Sequence, residues 1–425
     1  MQSISINYDL IKKTKANKNF LGGLLFIFLI YPFAAFLIAL YHYTKKESYL
    51  IFVLFTGLYG YFMVADSPGL DLYRILQSPD AYAQLPTGEI FNAIRGIYSD
   101  DPEASVDIYR DAVTFIVSRF TTNGNVLTLV FALVYGIVFL KSISIFFEKY
   151  RNKGFYSGII LLSFAFIFSM DMVAGVRYAT AAYVFFAGAV KLIETSEKKY
   201  LWLVLAAPLI HFSYLLPVAV VGLFFLFRRS PLVIYGILAA SFILPEFLST
   251  QINQLSMIIG GAIEQRVNLY LLEQEQGLVS EARLVWFVRF REEGIFFFSI
   301  LVLAVSRLKR WKLHHTSISE SLFYFSLMIL TLTNFMAPIP QAGYRLQFVF
   351  AMFAIYYLYV LFANNPQNIR VKRLALLAFP AFFFQIIFGL RSILATSSPM
   401  LYIGNVFTSF ITEFNQSMWS MLFNQ

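Results

Sequence analysis

Arg177 and His211 are the residues on which chemistry could be built. Arg177 stands at the head of the apolar run that follows DMVAGV, and His211 sits in the middle of LWLVLAAPLIHFSYLLPVAVVGLFFLF. Both residue types are costly at membrane depth, so each marks a candidate site there. A guanidinium is a planar fork that grips phosphate through two hydrogen bonds and keeps its charge. An imidazole can take or give a proton near neutral pH. An arginine meets a helix end again at Arg345, in AGYRLQF, and at Arg289 and Arg291, just ahead of GIFFFSILVLAVS. The stretch ADSPGLDLYRIL supplies carboxylates, Asp66 and Asp71, with Tyr73 and Arg74 alongside. Pro68-Gly69 marks a turn, which holds Asp71 just past a helix end, where it could orient a hydroxyl or accept its proton. Tyr178, Tyr214 and Tyr344 neighbour Arg177, His211 and Arg345 in the same motifs and complete the substrate-binding set. Blander readings compete: a snorkelling Arg177, a hydrogen-bonded core histidine, a turn-forming Asp71 and arginines that merely pair with acids.

The elements that must position these residues are membrane helices. Of 425 residues, 59% are hydrophobic, 18% aromatic and only 13% charged. A soluble chain could not hide that much apolar surface, so the fold class is an all-α polytopic membrane protein. There is no cysteine, which excludes disulfides, thiolate metal sites and cysteine nucleophiles. The four histidines form no HExxH or paired-histidine pattern, so neither a metal nor another cofactor is expected. The net charge of +9 reflects membrane topology rather than nucleic-acid binding.

Candidate membrane segments fall at 20–42, 49–65, 125–146, 155–173, 177–194, 200–227, 231–249, 286–306, 318–338, 345–363 and 374–390. The chain is read as one integral membrane domain over 1–425 with about 10–12 transmembrane or re-entrant helices and interfacial helices on its outer face. Compact basic clusters at Lys45-Lys46, Lys149/Arg151/Lys153, Lys198-Lys199, Arg228-Arg229, Arg307–Lys312 and Arg370–Arg373 belong in the cytoplasm. That places 66–124, with its amphipathic VDIYRDAVTFIVSRF, outside. It also places outside the 250–293 loop and an amphipathic C-terminal segment over 391–425. Two conflicts remain. Lys198-Lys199 and Arg228-Arg229 both require the inside, yet one apolar run joins them. A broken helical hairpin over 200–227, interrupted near His211 and flanked by Pro208 and Pro217, resolves the parity. A crossing over 20–42 also places Lys12, Lys13, Lys15 and Lys18 outside, against the same rule.

Sorting basic residues by side separates arginine from lysine. After residue 20 the outer side carries Arg74, Arg95, Arg110, Arg119, Arg177, Arg266, Arg283, Arg289, Arg291, Arg345 and Arg391, and no lysine. Lysine serves as a topological charge, whereas arginine adds bidentate recognition, so an arginine-only outer face suggests phosphate binding there. About half of these arginines are expected in ordinary ion pairs.

At DSPGLDLYR after the second segment, GVRYATA, LIHFSYLL and GYRLQF, the sequence resembles the EpsG-like, or Wzy-type, polysaccharide polymerases of bacterial envelopes. The motifs spread over roughly residues 50–360 in the order expected for that family. The resemblance implies a metal-independent glycosyltransferase of GT-C-like fold in the bacterial cytoplasmic (inner) membrane, with its active site facing the periplasm or cell exterior. It implies transfer of an undecaprenyl-pyrophosphate-linked oligosaccharide onto another lipid-linked repeat, for an O-antigen, capsule or exopolysaccharide. A chain-length regulator and a flippase of the same pathway are the protein partners that it suggests. His211, Asp71, Arg177 and Arg345 would be catalytic. Asp66, Tyr73, Arg74, Tyr178, Tyr214, Arg289, Arg291 and Tyr344 would bind substrate. The alternatives are a flippase of the same lipid-linked glycan or another polyprenyl-linked transferase such as a ligase. The absence of repeat symmetry and the clustering of arginines at outer helix ends speak against the transporter.

Overall fold

A computed structural model describes residues 18–65, 71–88, 108–149, 154–173, 177–244, 251, 254, 286–409, 411 and 416–423. Its helices follow from the apolar runs, because backbone polar groups in a membrane must be satisfied within the segment. Among the described residues no strand forms beyond one isolated bridge, Met63 to Ser397. Among the described residues five helices are long and apolar enough to cross a membrane: Gly124–Glu148, Phe155–Val173, Ser317–Phe335, Ala342–Asn364 and Ile369–Thr396. The chain is therefore an all-α polytopic membrane protein.

In chain order the helices are α1 (Lys18–Ile30), α2 (Pro32–Tyr41), α3 (Lys46–Tyr61), α4 (Asp71–Ala83), α5 (Ile108–Ser118), α6 (Gly124–Lys149), α7 (Phe155–Ala165) and α8 (Tyr178–Thr195). They continue as α9 (Leu201–Ile210), α10 (Leu215–Phe227), α11 (Pro231–Ile243), α12 (Trp286–Ser306), α13 (Ser317–Phe335), α14 (Pro340–Asn364) and α15 (Ile369–Thr396). Short helices at Met400–Ile403, Val406–Ser409 and Met418–Phe423 follow. Arg391–Thr396, expected in the C-terminal outer segment, instead extend α15.

The core is built on α14 and α8. Val349 to Val360 are wholly buried, and most of α8 is buried on every face. A helix that is apolar all round is one enclosed by others. Phe353 of α14 packs on Phe185 and Phe186 of α8 and on Phe325 of α13. α3 and α6 press closer still: a Cβ added at Gly60 would lie 2.4 Å from Ala132 Cβ and 2.5 Å from the Thr128 carbonyl oxygen. Such contact of small residues is how helices associate where apolar burial gives no driving force.

Two apolar stretches turn back on themselves. Val204 of α9 lies against Gly188, and His211 lies against Tyr178, so α9 runs antiparallel to α8. At His211 the backbone becomes extended, with φ −150° and ψ 117°, and a single 3-10 turn, Phe212–Tyr214, leads into α10. α10 then returns: Tyr214 touches Phe185, and Phe224 touches Phe325 near the middle of α13. α11 starts beside the first half of α13, with Tyr235 against Tyr324, and ends with Ser241 bonded to Asn334.

The stretch 20–42, expected as one crossing, is the second reversal. It breaks at Tyr31, with Pro32 opening α2, where its missing N–H matters least. Phe20, near the start of α1, meets His42 just after α2 at 5.2 Å, and the Lys45 ammonium sits 3.9 Å over the Phe20 ring. Lys18 and Lys45-Lys46 therefore lie at the same end of the bundle. Hydropathy along 20–42 is continuous, so the hairpin is set by one proline and by packing of α2 on α3, where Phe36 stacks on Phe55 at 4.2 Å.

The basic clusters share one end. Lys191 pairs with Glu148, and Tyr356 donates to Glu194 at 2.5 Å, joining α6, α8 and α14. Arg307 pairs with Glu320 at 2.8 Å, Asn368 bonds the Trp311 carbonyl, and Arg370 bonds the Arg310 carbonyl. Tyr178, Arg345 and the tip at His211 stand at the opposite end. There α4 packs on α5 and α6, and the strand-like contact of Met63 with Ser397 ties α3 to α15.

Candidate active site

The site grows from Tyr178, the first residue of α8. Its hydroxyl donates to the backbone carbonyl of Arg345, and the Arg345 guanidinium sits 5.4 Å from the centre of its ring. His211 meets the same ring edge-on at 5.6 Å, and Tyr214 lies 5.5 Å away. His211 and Tyr214 are buried, at 5% and 1% exposure, while Tyr178 and Arg345 are half-buried. The geometry has a local cause. His211 ends α9 in extended backbone, and its buried ring lies against Tyr178. Arg177, half-buried, precedes α8, and its carbonyl accepts the Ala181 N–H at 2.9 Å.

A second arm comes from α12. Arg291 donates to the Tyr344 hydroxyl at 3.4 Å, and its guanidinium lies 5.0 Å over Phe388 of α15. Tyr344 packs on Phe348 at 4.8 Å. Because Tyr344 and Arg345 are adjacent on α14, Arg291, Tyr344, Arg345, Tyr178, His211 and Tyr214 form one connected group. It carries two guanidiniums, three phenols and an imidazole. Such a group can bind an anion through forked donors and offer ring faces to a sugar.

Other sequence candidates stand apart. Arg289 is exposed and pairs with Glu293 at 2.6 Å one helical turn on. Asp71 begins α4 and is exposed, Arg74 is exposed, and Tyr73 is half-buried; no described contact joins these three to the group around Tyr178. Asp66 lies outside the described residues, as do Arg95, Arg266 and Arg283. Three more of the arginines expected on the outer side hold structure. Arg110 pairs with buried Asp111 at 3.2 Å, Arg119 bonds the Tyr82 carbonyl, and Arg391 lies 5.0 Å over Trp419. Burial and the Asp111 carboxylate push the Tyr82 phenol up to about 12, so it remains a neutral part of that cluster.

One residue escaped the sequence reading. Asp171 sits in a 3-10 turn, Met170–Val173, just before the GVR motif. It accepts from the Ser169 hydroxyl, and the same turn meets the Tyr178 ring through Phe168 at 5.6 Å. A lone acid beside an apolar run gives no periodic signal, although it stands only six positions before Arg177 in the sequence. Among the described residues no group of three or more His, Asp or Glu side chains gathers at metal-ligand spacing.

Neither a curated protein nor a solved structure matches the chain. The EpsG family model matches residues 93–402. The matched range includes every member of the connected group as well as Arg177 and Asp171, and leaves out Asp66, Asp71, Tyr73 and Arg74. With well over half of its length matched, and the arginine, tyrosine and histidine group inside that range, the chain belongs to the EpsG family.

Proposed function

We propose that this chain is a polysaccharide polymerase that joins undecaprenyl-pyrophosphate-linked oligosaccharide repeats at the outer face of the bacterial cytoplasmic membrane. Membership of the EpsG family supports a polymerase-like role in polysaccharide synthesis. The observation that carries the finer reading is the convergence of Arg291, Tyr344, Arg345, Tyr178 and His211 at the end of the bundle opposite the basic loops. The basic loops belong in the cytoplasm by the positive-inside rule, so the group faces outward.

In this reading Arg345 and Arg291 bind the pyrophosphate of the donor, with Arg177 at the rim. As the bond from the anomeric carbon to the phosphate oxygen breaks, negative charge grows on that oxygen. Guanidiniums already in place stabilise it without reorganisation. The hydroxyl of the second repeat attacks the anomeric carbon and loses its proton to a base. Aromatic faces of Tyr178, Tyr214 and Tyr344 hold the sugars beside the leaving group, so that attack proceeds within a bound complex.

Deletion of the gene followed by analysis of surface glycan tests the proposal. Loss of long chains with a single repeat retained is the expected result. Lipid-linked repeats accumulating on the inner face would instead identify a flippase, and unchanged chain length would remove the polymerase reading.

A further inference from the structure

The turn over residues 166–173 is held far more firmly than a simple helix connection requires. Tyr135 donates to the Phe168 carbonyl at 2.8 Å, and Tyr183 donates to the same carbonyl at 3.2 Å. Gln385 reaches the Ile167 carbonyl at 3.4 Å. Tyr135 and Tyr183 are essentially wholly buried, at 2% and 0% exposure. α15 closes on the turn at Gly389, where an added Cβ would lie 2.9 Å from Ser169 Oγ. Side chains from α6, α8 and α15 thus converge on one short segment. What that segment presents is Asp171, half-buried, with its carboxylate held by the Ser169 hydroxyl; Gly389, which closes on Ser169, adjoins Phe388, over whose ring Arg291 lies, and Phe168 of the turn meets the Tyr178 ring at 5.6 Å. Preorganisation of this kind is what a reacting group needs and a spacer does not.

Among the described residues, other carboxylates at this end are differently placed. Glu293 is committed to Arg289, Asp111 to Arg110, and Asp71 is exposed on α4 with no described contact to the arginine group. His211 is enclosed, with the Tyr178, Phe212 and Tyr214 rings around it.

We propose that Asp171 is the catalytic base that takes the proton from the acceptor hydroxyl, beside the pyrophosphate held by Arg291 and Arg345. The inference rests on the polymerase reading above. In the step, the acceptor O–H proton passes to the Asp171 carboxylate while the acceptor oxygen bonds to the anomeric carbon. The bond from that carbon to the phosphate oxygen breaks, and the polyprenyl pyrophosphate leaves with the electron pair. His211, in this scheme, supports the Tyr178 ring rather than moving the proton.

The test uses the full-length protein in lipid nanodiscs and lipid-linked repeats extracted from cells deleted for this gene. The rate of repeat joining is followed against pH for wild type, Asp171→Asn and Asp171→Glu. Wild type should lose rate on acidification, as a base must be unprotonated. Asp171→Asn should fall by about a hundredfold or more and lose that acidic limb. Asp171→Glu should keep part of the rate with the limb displaced, and this variant decides the matter if the asparagine form does not fold. An asparagine variant within threefold of wild type with its acidic limb intact, or a glutamate variant with an undisplaced limb, overturns the role of Asp171 while leaving the polymerase reading in place. A wild-type protein that joins no repeats sinks that reading, and the proposal with it.

Discussion

Tyr178 donates its phenolic proton to the backbone carbonyl of Arg345, 167 positions further along the chain. The same ring meets His211 edge-on at 5.6 Å and lies under the Arg345 guanidinium at 5.4 Å. One side chain therefore fixes the start of α8, the first turns of α14 and the tip between α9 and α10 relative to one another. If any of the three shifted, the donors on α14 would lose their register with the residues around His211.

Removing only the hydroxyl should separate these roles. Tyr178→Phe keeps both ring contacts and leaves the Arg345 carbonyl without its donor, a loss of about 1 kcal/mol, or about fivefold. The rate of repeat joining should fall by about that factor, with chain length shortened but not abolished. Tyr178→Ala removes the ring as well and should be far worse. Equal rates for wild type, Tyr178→Phe and Tyr178→Ala in the same assay would show that Tyr178 does not position the site.

Arg289 and Arg291 give an internal control on one helix. Two positions are about 200° around an α-helix, so the pair points to opposite sides. Arg291 faces Tyr344 and Phe388, whereas Arg289 pairs with Glu293 in the open. Arg291→Ala should lower the rate by about a hundredfold, the scale on which one transition-state donor acts. Arg291→Lys should recover little, because a point charge lacks the fork. Arg289→Ala should leave polymer length unchanged. A polymer shortened equally by Arg289→Ala and Arg291→Ala would point to general surface charge instead.

How much of this was legible in the sequence depended on whether the signal was local. The price of a charge in an apolar run is local, so Arg177, His211 and Arg345 stood out from residue type alone. Loop charges count crossings, so the reversal at His211 followed from parity between Lys198-Lys199 and Arg228-Arg229. The reversal at Tyr31 has the same cause in Lys12–Lys18 against Lys45-Lys46, yet unbroken hydropathy hid it. The facing of Arg289 against Arg291 was not legible, because only a packing partner says which side of a helix turns inward. Asp171 was invisible for a related reason: its importance lies in buried phenols from two other helices, which spacing along the chain does not reveal.

A pH effect should come from the basic end. His315 lies in the turn between α12 and α13, where burial, and then the nearby Arg307 charge, hold its imidazole below the usual histidine range. The unfolded chain therefore takes up the proton more readily than the folded one. The contribution to stability is present above the ordinary histidine value of about 6.5 and is lost as pH falls from there toward the folded value. Thermal unfolding of wild type and His315→Gln in detergent, between about pH 8 and pH 5.5, checks this. The stability of wild type relative to the glutamine form should decline as pH falls. A difference that is constant or grows on acidification would contradict it.

Topology can be read with single cysteines, since the chain has none of its own. Lys18, Lys46, Arg229 and Thr122 are exposed. The two reversals place the first three at one end of the bundle and Thr122 at the other, where α6 begins. Lys18→Cys, Lys46→Cys and Arg229→Cys should be labelled from one side of sealed vesicles by an impermeant maleimide, and Thr122→Cys from the other. Opposite labelling of Lys18→Cys and Lys46→Cys would mean that 20–42 crosses once. Labelling of Arg229→Cys with Thr122→Cys would mean that 200–227 crosses once. The second outcome matters more for function, because in a single crossing Tyr214 and α10 would not fold back on Tyr178 and Phe185. The physical expectation is firm on charge alone. Each misplaced cluster would put lysines or arginines on the translocated side of a short loop, which the insertion machinery disfavours. The packing agrees: Phe20 against His42 and Phe224 against Phe325 can both be made only if each stretch turns back.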